Sequence, residues 1–374
     1  MIVKDEEHFL EDCLLSAERY VDEIIIVDTG SSDATKAIAR SHTDRLYDYD
    51  GPPDDFASAR NMSLAHASSD WIFCLDADER LPPAQGELLR RAACSAGEGT
   101  GAYFVVRYNI FGTGGFYTDR AVRLFRNSDN LRYEGIVAES AIASLEREGM
   151  RVEDTRVFIN HFGMSRLRVV RDGKAKRYIQ LLNARAGQEG ATAETSAQLS
   201  LTYRALGDMH NAEIQSDMAI ALDRGAFLAW YFRGHLMRSL GRLETAMAAY
   251  ETALALNSSD PVVATMLALT LLMMGDIDGA ELRLQRALRK DPNFVHALVI
   301  LGSVCEARLS FASALAVYAR AAELNPGLLR ETEESRYEAD PYRNLASDTI
   351  PHWAGLAQHI NRCAARVTSG IGPA

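Results

Sequence analysis

Small residues recur every 34 positions in the C-terminal half of this 374-residue chain. The glycines with this spacing are Gly207, Gly241 and Gly275. Two series of alanines keep the spacing over four copies, and they are Ala212, Ala246, Ala280 and Ala314, then Ala219, Ala253, Ala287 and Ala321. A repeat of this length predicts one pair of helices per copy, with small residues where the paired helices approach closely. Because one pair leaves its apolar face uncovered, we expect the copies to stack into an all-α solenoid.

Further positions agree with this period. The second copy carries Trp230, Gly234 and Tyr250, and the fourth carries Gly302, Tyr318 and Pro326. This pattern is typical of tetratricopeptide (TPR) repeats, and we place four of them at residues 193–328. The fourth copy departs at Leu309, where glycine is usual. The remaining residues, 329–374, are expected to form a capping helix and a tail, because terminal repeats need such caps.

The first 165 residues have a different pattern, in which short apolar runs alternate with amphipathic segments. The predicted strands are 24–27, 71–75, 103–108, 121–125 and 156–159, and the predicted helices include 56–67 and 84–96. This alternation predicts an α/β domain with a mostly parallel, Rossmann-like sheet and helices on both faces. Residues 166–192 are basic and are expected to form a linker helix between the two halves.

Composition excludes several classes of protein. The net charge of −11 provides no basic face for a nucleic acid. The five cysteines are scattered, without the spacing of a metal site or a redox pair. Acidic residues from Asp5 onward do not fit a signal peptide, and the longest apolar run, 264–274, is too short to span a bilayer. We therefore expect a cytoplasmic protein without a membrane span or a nucleic-acid partner.

Asp76 and Asp78 directly follow the strand predicted at 71–75. In open α/β sheets, ligands bind beyond the carboxyl ends of the strands. Two carboxylates at such an end form a site of hard oxygen ligands, which suits Mg²⁺ or Mn²⁺ and the phosphates of a nucleotide. The alternative is structural, with Asp76 as a turn residue and Asp78 as a helix cap.

Asp28 and Arg60 are two further candidates for nucleotide binding. Asp28 ends another predicted strand, and its carboxylate can accept the imide N–H of a uracil or thymine base. The alternative for Asp28 is a turn-forming role. Arg60 lies on the predicted helix 56–67, where it is suited to a charge-assisted contact with a phosphate. The alternative for Arg60 is a surface salt bridge.

An ordered series of motifs resembles the family 2 glycosyltransferases of GT-A fold. The motifs are Val3-Lys4-Asp5-Glu6, residues 22–35, residues 56–61, Leu75-Asp76-Ala77-Asp78-Glu79, Arg123-Leu124-Phe125-Arg126 and His161-Phe162-Gly163. With the TPR half, the chain is similar to bacterial glycosyltransferase–TPR proteins, including the sublancin-type peptide S-glycosyltransferases. The resemblance implies a metal-dependent, inverting hexosyltransferase that uses a nucleotide-diphosphate sugar, with a UDP-sugar as the expected donor.

The resemblance also assigns roles to residues. The nucleotide-sugar site is expected at Asp28, Arg60, Asn61 and Asp76, and the site for Mn²⁺ or Mg²⁺ at Asp78, Asp76 and His161. An inverting transfer needs a carboxylate base to deprotonate the acceptor. Glu139 is the expected base, and Asp119 and Glu134 are held in reserve. Ala138 stands where the family often has histidine.

The expected partners are the sugar donor and a peptide or protein acceptor bound by the TPR half, which could instead mediate a homodimer. One alternative is an enzyme that transfers to a lipid or polysaccharide. Another is a TPR interaction scaffold whose transferase domain has decayed. Intact Asp28, Asp76, Asp78 and His161 favour the enzyme, whereas Ala138 and a short first strand favour decay.

Overall fold

The computed structural model describes residues 1–110, 116–135, 139–163, 168–257, 260–329 and 355–369. The chain divides into two compact units. The first contains Met1–Asn109 and Thr118–Gly163, and the second contains Ile110–Tyr117 and Met164–Ala374. Among the helices in the described ranges, none is long and apolar enough to cross a membrane.

The first unit combines α-helices with two β-sheets. Its strands are β1 (Ile2–Val3), β2 (Ile26–Asp28), β3 (Leu46–Asp48), β4 (Trp71–Phe73), β5 (Glu79–Arg80), β6 (Thr100–Ile110), β7 (Phe116–Arg126) and β8 (Arg151–His161). Its helices are α1 (Leu10–Ala17), α2 (Thr35–His42), α3 (Phe56–Ala65), α4 (Pro83–Ser95) and α5 (Ile142–Arg147). The predicted α/β class is confirmed.

The two sheets differ in strand direction. The first has the order β1-β2-β3 and is parallel. The second has the order β4-β7-β6-β8-β5, in which β4 and β5 run antiparallel to their neighbours β7 and β8, while β6 and β8 are parallel. Asp28 is the last residue of β2, and the segment that follows the carboxyl end of β4 carries Asp76 and Asp78, so strand ends position the candidate residues.

Local signals explain where α3 begins. The Asp55 carboxylate accepts a 2.9 Å hydrogen bond from the backbone N–H of Ser58, which satisfies one free donor of the first helical turn. Ala57 and Leu64, which share one side of the helix, are buried in the same core cluster, and Ala59 and Arg60 are buried as well. This packing fixes α3 in the first unit and presents Arg60 and Asn61 to the candidate site.

In its described residues the second unit is all-α, apart from the end of β6 at Ile110 and the start of β7 at Phe116 and Tyr117. Its helices are α6 (Arg168–Glu189), α7 (Ala193–Ala205), α8 (Met209–Leu222), α9 (Phe227–Ser239), α10 (Leu243–Leu256), α11 (Pro261–Met273), α12 (Ile277–Lys290), α13 (Val295–Ala307), α14 (Phe311–Leu324) and α15 (Leu356–Thr368). Helices α7 to α14 pack as four consecutive pairs. They lie at the residues where the sequence predicts four TPR repeats.

Glycines allow the two helices to approach closely in the second and fourth repeats. A Cβ atom at Gly234 would lie 2.4 Å from the ring of Tyr250, and one at Gly302 would lie 2.3 Å from the ring of Tyr318. Both rings are fully buried, so neither position tolerates a larger residue without displacing an aromatic core residue. The sequence period therefore reflects close contact between the two helices of each repeat.

Helix α15 packs against α14 and contacts α13 through an ion-pair cluster. Glu306 of α13 lies at the centre. Its Oε1 accepts a 2.7 Å hydrogen bond from the Tyr318 hydroxyl and lies 2.7 Å from His359 Nδ1. Its Oε2 accepts two hydrogen bonds from Arg362, at 2.6 and 3.0 Å. These contacts attach the C-terminal helix to the last repeat.

Candidate functional site

Asp76 lies in the loop after β4, and two arginines hold its carboxylate. Oδ1 accepts a 2.9 Å hydrogen bond from Arg60 Nη2, and Oδ2 accepts a 2.6 Å bond from Arg123 Nη2. Burial alone would raise the pKa of Asp76, but the charges of Arg123 and Arg60 hold that pKa well below its usual range. Asp76 is therefore ionised, with a guanidinium group on each oxygen.

Glu79 begins β5, and its side chain has no exposed surface. Its Oε1 accepts a 2.5 Å hydrogen bond from Arg123 Nη2, and its Oε2 accepts a 2.9 Å bond from the backbone N–H of Asp76. Burial and the negative charge of Asp76 both raise the pKa of Glu79. Together they outweigh the charge of Arg123, which lowers this pKa. The sequence motifs contained Glu79 and Arg123 without a role for either. The signal available in the sequence was that Glu79 is a charged residue directly after Asp78. Its burial results from the pairing of β5 with β8.

Asp78 and His161 lie next to each other, as the sequence predicted for two ligands of one metal. His161 Nε2 is 3.5 Å from Asp78 Oδ1. A Cβ atom at Gly163 would lie 2.6 Å from that nitrogen and 2.7 Å from Asp78 Oδ2, so only glycine lets the chain pass this closely. Burial alone would lower the pKa of His161, but the charge of Asp78 outweighs burial and raises it.

Asn109, which the sequence analysis did not single out, orients His161. Asn109 pairs with His161 between β6 and β8, and its Oδ1 lies 2.6 Å from His161 Nδ1. With the Nδ1–H group donating to that oxygen, Nε2 presents its lone pair towards Asp78. The space between Nε2 and the carboxylate therefore favours a proton or a cation.

These residues can be tested against the donor sets that Mn²⁺ and Mg²⁺ prefer. Asp78 and His161 supply one carboxylate and one imidazole, which fit a divalent cation whose other ligands are phosphate oxygens and water. Asp76 differs, since both of its oxygens accept hydrogen bonds from arginines. Within the described ranges, no three His, Cys, Asp or Glu side chains gather as a metal-binding group. A metal here would depend on ligands from the nucleotide.

Asp28 ends β2 and organises the turn that follows it. Its Oδ1 accepts 2.9 Å hydrogen bonds from the backbone N–H groups of Gly30 and Ser31, and Lys36 Nζ lies 3.4 Å from the same atom. Its Oδ2 is buried and has no hydrogen-bond partner in the part of the chain that the structure describes. The turn-forming role is thus present, and one carboxylate oxygen remains for another donor. Contact with a nucleotide base stays a prediction.

Arg60 and Asn61 make different contacts from the same turn of α3. Arg60 donates to Glu139 Oε1 at 2.7 Å through Nε, in addition to its bond with Asp76. Asn61 donates to the Tyr133 carbonyl at 2.9 Å and accepts from the Tyr133 N–H at 2.7 Å. Arg60 thus joins two acidic site residues, and Asn61 fixes a neighbouring backbone segment. Their contacts with a nucleotide-sugar stay predictions.

Glu139 and Asp119, two of the candidate bases, differ in how many of their carboxylate oxygens accept hydrogen bonds from arginine. Glu139 is 14% exposed, and among the described residues its hydrogen-bond donor is Arg60, which bonds Oε1. Asp119 accepts from Arg107 through both oxygens, at 2.7 and 2.8 Å. Glu139 therefore keeps Oε2 for a further proton, whereas both Asp119 oxygens are engaged. Ala138, next to Glu139, lies outside the described residues.

Comparison with known families assigns the domain that carries this site. Residues 1–170 match the model for glycosyl transferase family 2. The first 170 residues form a family 2 glycosyltransferase domain. Residues 199–261 and 237–299 match models of tetratricopeptide repeats, in agreement with the helix pairs of the second unit.

Individual relatives share parts of this arrangement. A TPR repeat-containing protein of Synechococcus elongatus is 32% identical over 265 residues, which cover 68% of this chain and 64% of that protein. The lipopolysaccharide core biosynthesis glycosyltransferase LpsC of Rhizobium meliloti is 34% identical over 162 residues, covering 38% and 58%. The SPbeta prophage-derived glycosyltransferase SunS of Bacillus subtilis is 29% identical over 140 residues, covering 37% and 33%. The chain thus spans between a third and two thirds of the length of these relatives.

Proposed function

We propose that this protein is a metal-dependent, inverting glycosyltransferase that moves a sugar from a UDP-sugar to a peptide or protein acceptor. The observation that carries the proposal is the pair Asp78 and His161, 3.5 Å apart, within a family 2 glycosyltransferase domain. The similarity to SunS and LpsC, both named glycosyltransferases, supports the reaction class.

The residues at the ends of β2 and β4 account for donor binding. Asp28 Oδ2 accepts the imide N–H of uracil, the donor that this buried oxygen lacks in the described chain. Asp78 and His161 would hold Mn²⁺ or Mg²⁺, which supplies positive charge to the diphosphate as it becomes the leaving group. Asp76, held by Arg60 and Arg123, presents a fixed carboxylate to the nucleotide-sugar beside them.

Glu139 is the proposed base that takes the proton of the acceptor nucleophile. Its Oε2 is available while Oε1 accepts from Arg60, whereas Asp119 would first have to break a bidentate bond with Arg107. Such bidentate pairs are among the stronger ion pairs in proteins. The geometry therefore favours Glu139 over Asp119.

The TPR repeats favour a peptide or protein acceptor, because stacked helix pairs form an extended surface that suits protein binding. A second candidate is transfer to a lipopolysaccharide. The observation that favours it is the 34% identity with LpsC, which is named for core lipopolysaccharide biosynthesis. The two candidates share the donor and differ in the acceptor alone.

The proposal is tested on the purified full chain with nucleotides and sugar donors. Calorimetry with UDP, GDP and ADP in the presence of Mn²⁺ should detect UDP binding, and Asp28→Asn should weaken it. A panel of UDP-sugars should be hydrolysed slowly with Mn²⁺ and not with EDTA. Failure to bind any nucleoside diphosphate would exclude the proposed function. Lipopolysaccharide core fragments and peptides containing Ser, Thr, Cys or Asn, offered side by side, decide the acceptor.

A further inference from the structure

Seven side chains of alternating charge form a continuous series through the first unit. In order, they are Glu139, Arg60, Asp76, Arg123, Glu79, Arg107 and Asp119. Neighbours are joined by contacts of 2.5 to 2.9 Å, except that Arg107 Nη1 lies 3.8 Å from Glu79 Oε1. We call this series the ion-pair chain. It connects Glu139, the proposed base, to Asp76.

The centre of the ion-pair chain is its most buried part. The side chains of Glu79 and Arg123 are 0% and 7% exposed, compared with 29% for Asp76. Glu79 accepts the backbone N–H of Asp76, and Arg123 donates to the Asp76 carboxylate. Glu79 and Arg123 also bond each other. Asp76 is thus fixed at its backbone and at its side chain by two residues that are themselves paired.

The hydrogen bonds of Arg123 indicate that the pair does more than stabilise the fold. Arg123 Nη2 donates hydrogen bonds to both Asp76 and Glu79, while the buried Nε of Arg123 has no hydrogen-bond partner among the described residues. An unsatisfied buried donor is unfavourable, by about 1–3 kcal/mol. A buried ion pair is also often no more stable than a neutral pair of similar shape. Stability alone therefore does not account for this arrangement.

We propose that Glu79 and Arg123 are positioning residues, which hold Asp76 in its orientation towards the nucleotide-sugar and, through Arg60, set the position of Glu139. The inference rests on the proposed function, since it concerns the same site. Arg60 transmits the effect because its Nε bonds Glu139 while its Nη2 bonds Asp76. A displacement of Asp76 therefore moves the guanidinium that holds the base.

The test separates positioning from stability by neutralising first one partner and then both. Glu79→Gln leaves Arg123 with Asp76 alone, and Arg123→Gln leaves the buried Glu79 with Arg107 alone at 3.8 Å, so each single variant should lower the melting temperature. The double variant Glu79→Gln/Arg123→Gln buries no unpaired charge at this pair, and its melting temperature should return most of the way to that of the unchanged protein. UDP affinity and the turnover of UDP-sugar hydrolysis should both stay reduced by about tenfold or more in all three, because each variant removes or alters a contact that orients Asp76.

The exposed pair Arg151 and Glu153 of the same unit provides the matched control. Arg151→Gln/Glu153→Gln should leave UDP affinity and turnover unchanged. A Glu79/Arg123 double variant that regains both stability and UDP affinity would show a merely structural pair and overturn the inference. If the single variants do not fold, Glu79→Asp and Arg123→Lys keep the charges but shift the contacts, and normal turnover in both would equally overturn it. If the unchanged protein binds no nucleoside diphosphate, the proposed function fails first and the inference fails with it.

Discussion

Asp76 and Asp78 stand two positions apart, yet their carboxylates have different neighbours. Asp76 contacts Arg60 and Arg123, whereas Asp78 contacts His161. The sequence predicted that both follow a strand and lie near a ligand site. It did not predict the arginines around Asp76, because they come from α3 and β7 and reach it only in the folded sheet. Local pattern thus predicted the candidate site, whereas long-range packing determines the contacts of each residue in it.

Substitution of Asp78 tests whether this residue binds a metal ion. Asp78→Ala should abolish hydrolysis of UDP-sugar and its stimulation by Mn²⁺. The reason is that the metal ion that would neutralise the diphosphate loses one of its proposed protein ligands. The circular dichroism spectrum should stay unchanged, since Asp78 lies between β4 and β5 and belongs to neither strand. Asp154→Ala on β8, an exposed aspartate outside the site, is the control and should retain activity. An Asp78→Ala variant with normal activity in EDTA would contradict the metal assignment.

The choice of base is tested by a pair of charge-removing variants. Glu139→Gln should lower turnover in acceptor transfer by about 10²-fold or more, the usual contribution of general-base catalysis, with little change in UDP affinity. Asp119→Asn should lower it less, because the bonds with Arg107 already occupy that carboxylate. The measurement is steady-state transfer to the accepted peptide or glycan. The opposite order of the two effects would assign the base to Asp119.

At the scale of elements, strand lengths show where sequence reasoning falls short. The apolar run 24–27 predicted a strand, but β2 begins at Ile26. Ile24 and Ile25 have no strand beside them in the first sheet, and a cavity of ≈ 510 Å³ lies there, lined also by Trp71 and Phe73. An apolar run reports burial, whereas a strand also needs a partner for its backbone groups. Which residues lie beside a neighbouring strand depends on the fold, and the apolar run alone does not reveal it.

The ends of the first helices in the repeats differ in backbone strain. Gly207, Gly241 and Gly275 take φ values of 82°, 71° and 84°, which glycine adopts without penalty. Leu309 occupies the same place in the last repeat with φ 58°, and its side chain is 54% exposed. Leu309→Gly should therefore stabilise the repeats by about 1 kcal/mol, since it relieves strain and loses little buried surface. Thermal unfolding followed by circular dichroism measures the gain.

Leu309→Ala is the matched control for this substitution. It removes the same side chain beyond Cβ but keeps a residue that disfavours positive φ. Its melting temperature should stay close to that of the unchanged protein. Equal stabilisation by glycine and alanine would show that loss of the exposed leucine, rather than relief of the backbone, is the cause.

The attachment of α15 should weaken in acid because of Glu306. Burial would raise the pKa of Glu306, but hydrogen bonds from His359 and Tyr318 and the charges of His359 and Arg362 lower it to about 2. A lowered folded-state pKa contributes stability that is complete above the unfolded value, 4.5, and is lost as pH falls towards 2. We expect a loss of about 2 kcal/mol over this range, after allowance for solvent screening.

Glu306→Gln should remove this contribution. Its unfolding free energy should lie below that of the unchanged protein at pH 6 and approach it near pH 2, as measured by urea unfolding at several pH values. Only the difference between the two proteins is informative, because other carboxylates also titrate in this range. A difference that stays constant from pH 6 to pH 2 would contradict the role assigned to Glu306.

At the scale of the whole molecule, the 34-residue period predicted four helix pairs, and the alternation of strands and helices predicted the α/β domain. Neither pattern predicted that Ile110–Tyr117 belongs to the same compact unit as the repeats. Phe116 in this segment is 1% exposed, and its ring lies edge-on to His296 at 5.0 Å between centroids. Such contacts join residues about 180 positions apart, and no local period encodes them.

The last prediction concerns the division of work between the two units. A shortened protein that ends at Arg185 retains every residue of the proposed donor site. It should bind UDP with near-normal affinity and hydrolyse UDP-sugar slowly, but lose transfer to the peptide acceptor if, as proposed, the repeats supply the surface that binds it. Since the cut would expose Phe116, the shortened protein should carry Phe116→Ser, with the same substitution in the full chain as the control.

Circular dichroism on both proteins establishes that the shortened one is folded before activity is compared. Light scattering on both then shows whether the repeats also set the oligomeric state. A folded shortened protein that glycosylates peptides at the full-chain rate would exclude acceptor binding by the repeats. Loss of transfer together with normal UDP binding would instead assign donor chemistry to the first unit and acceptor selection to the residues after Arg185, which the shortened protein lacks.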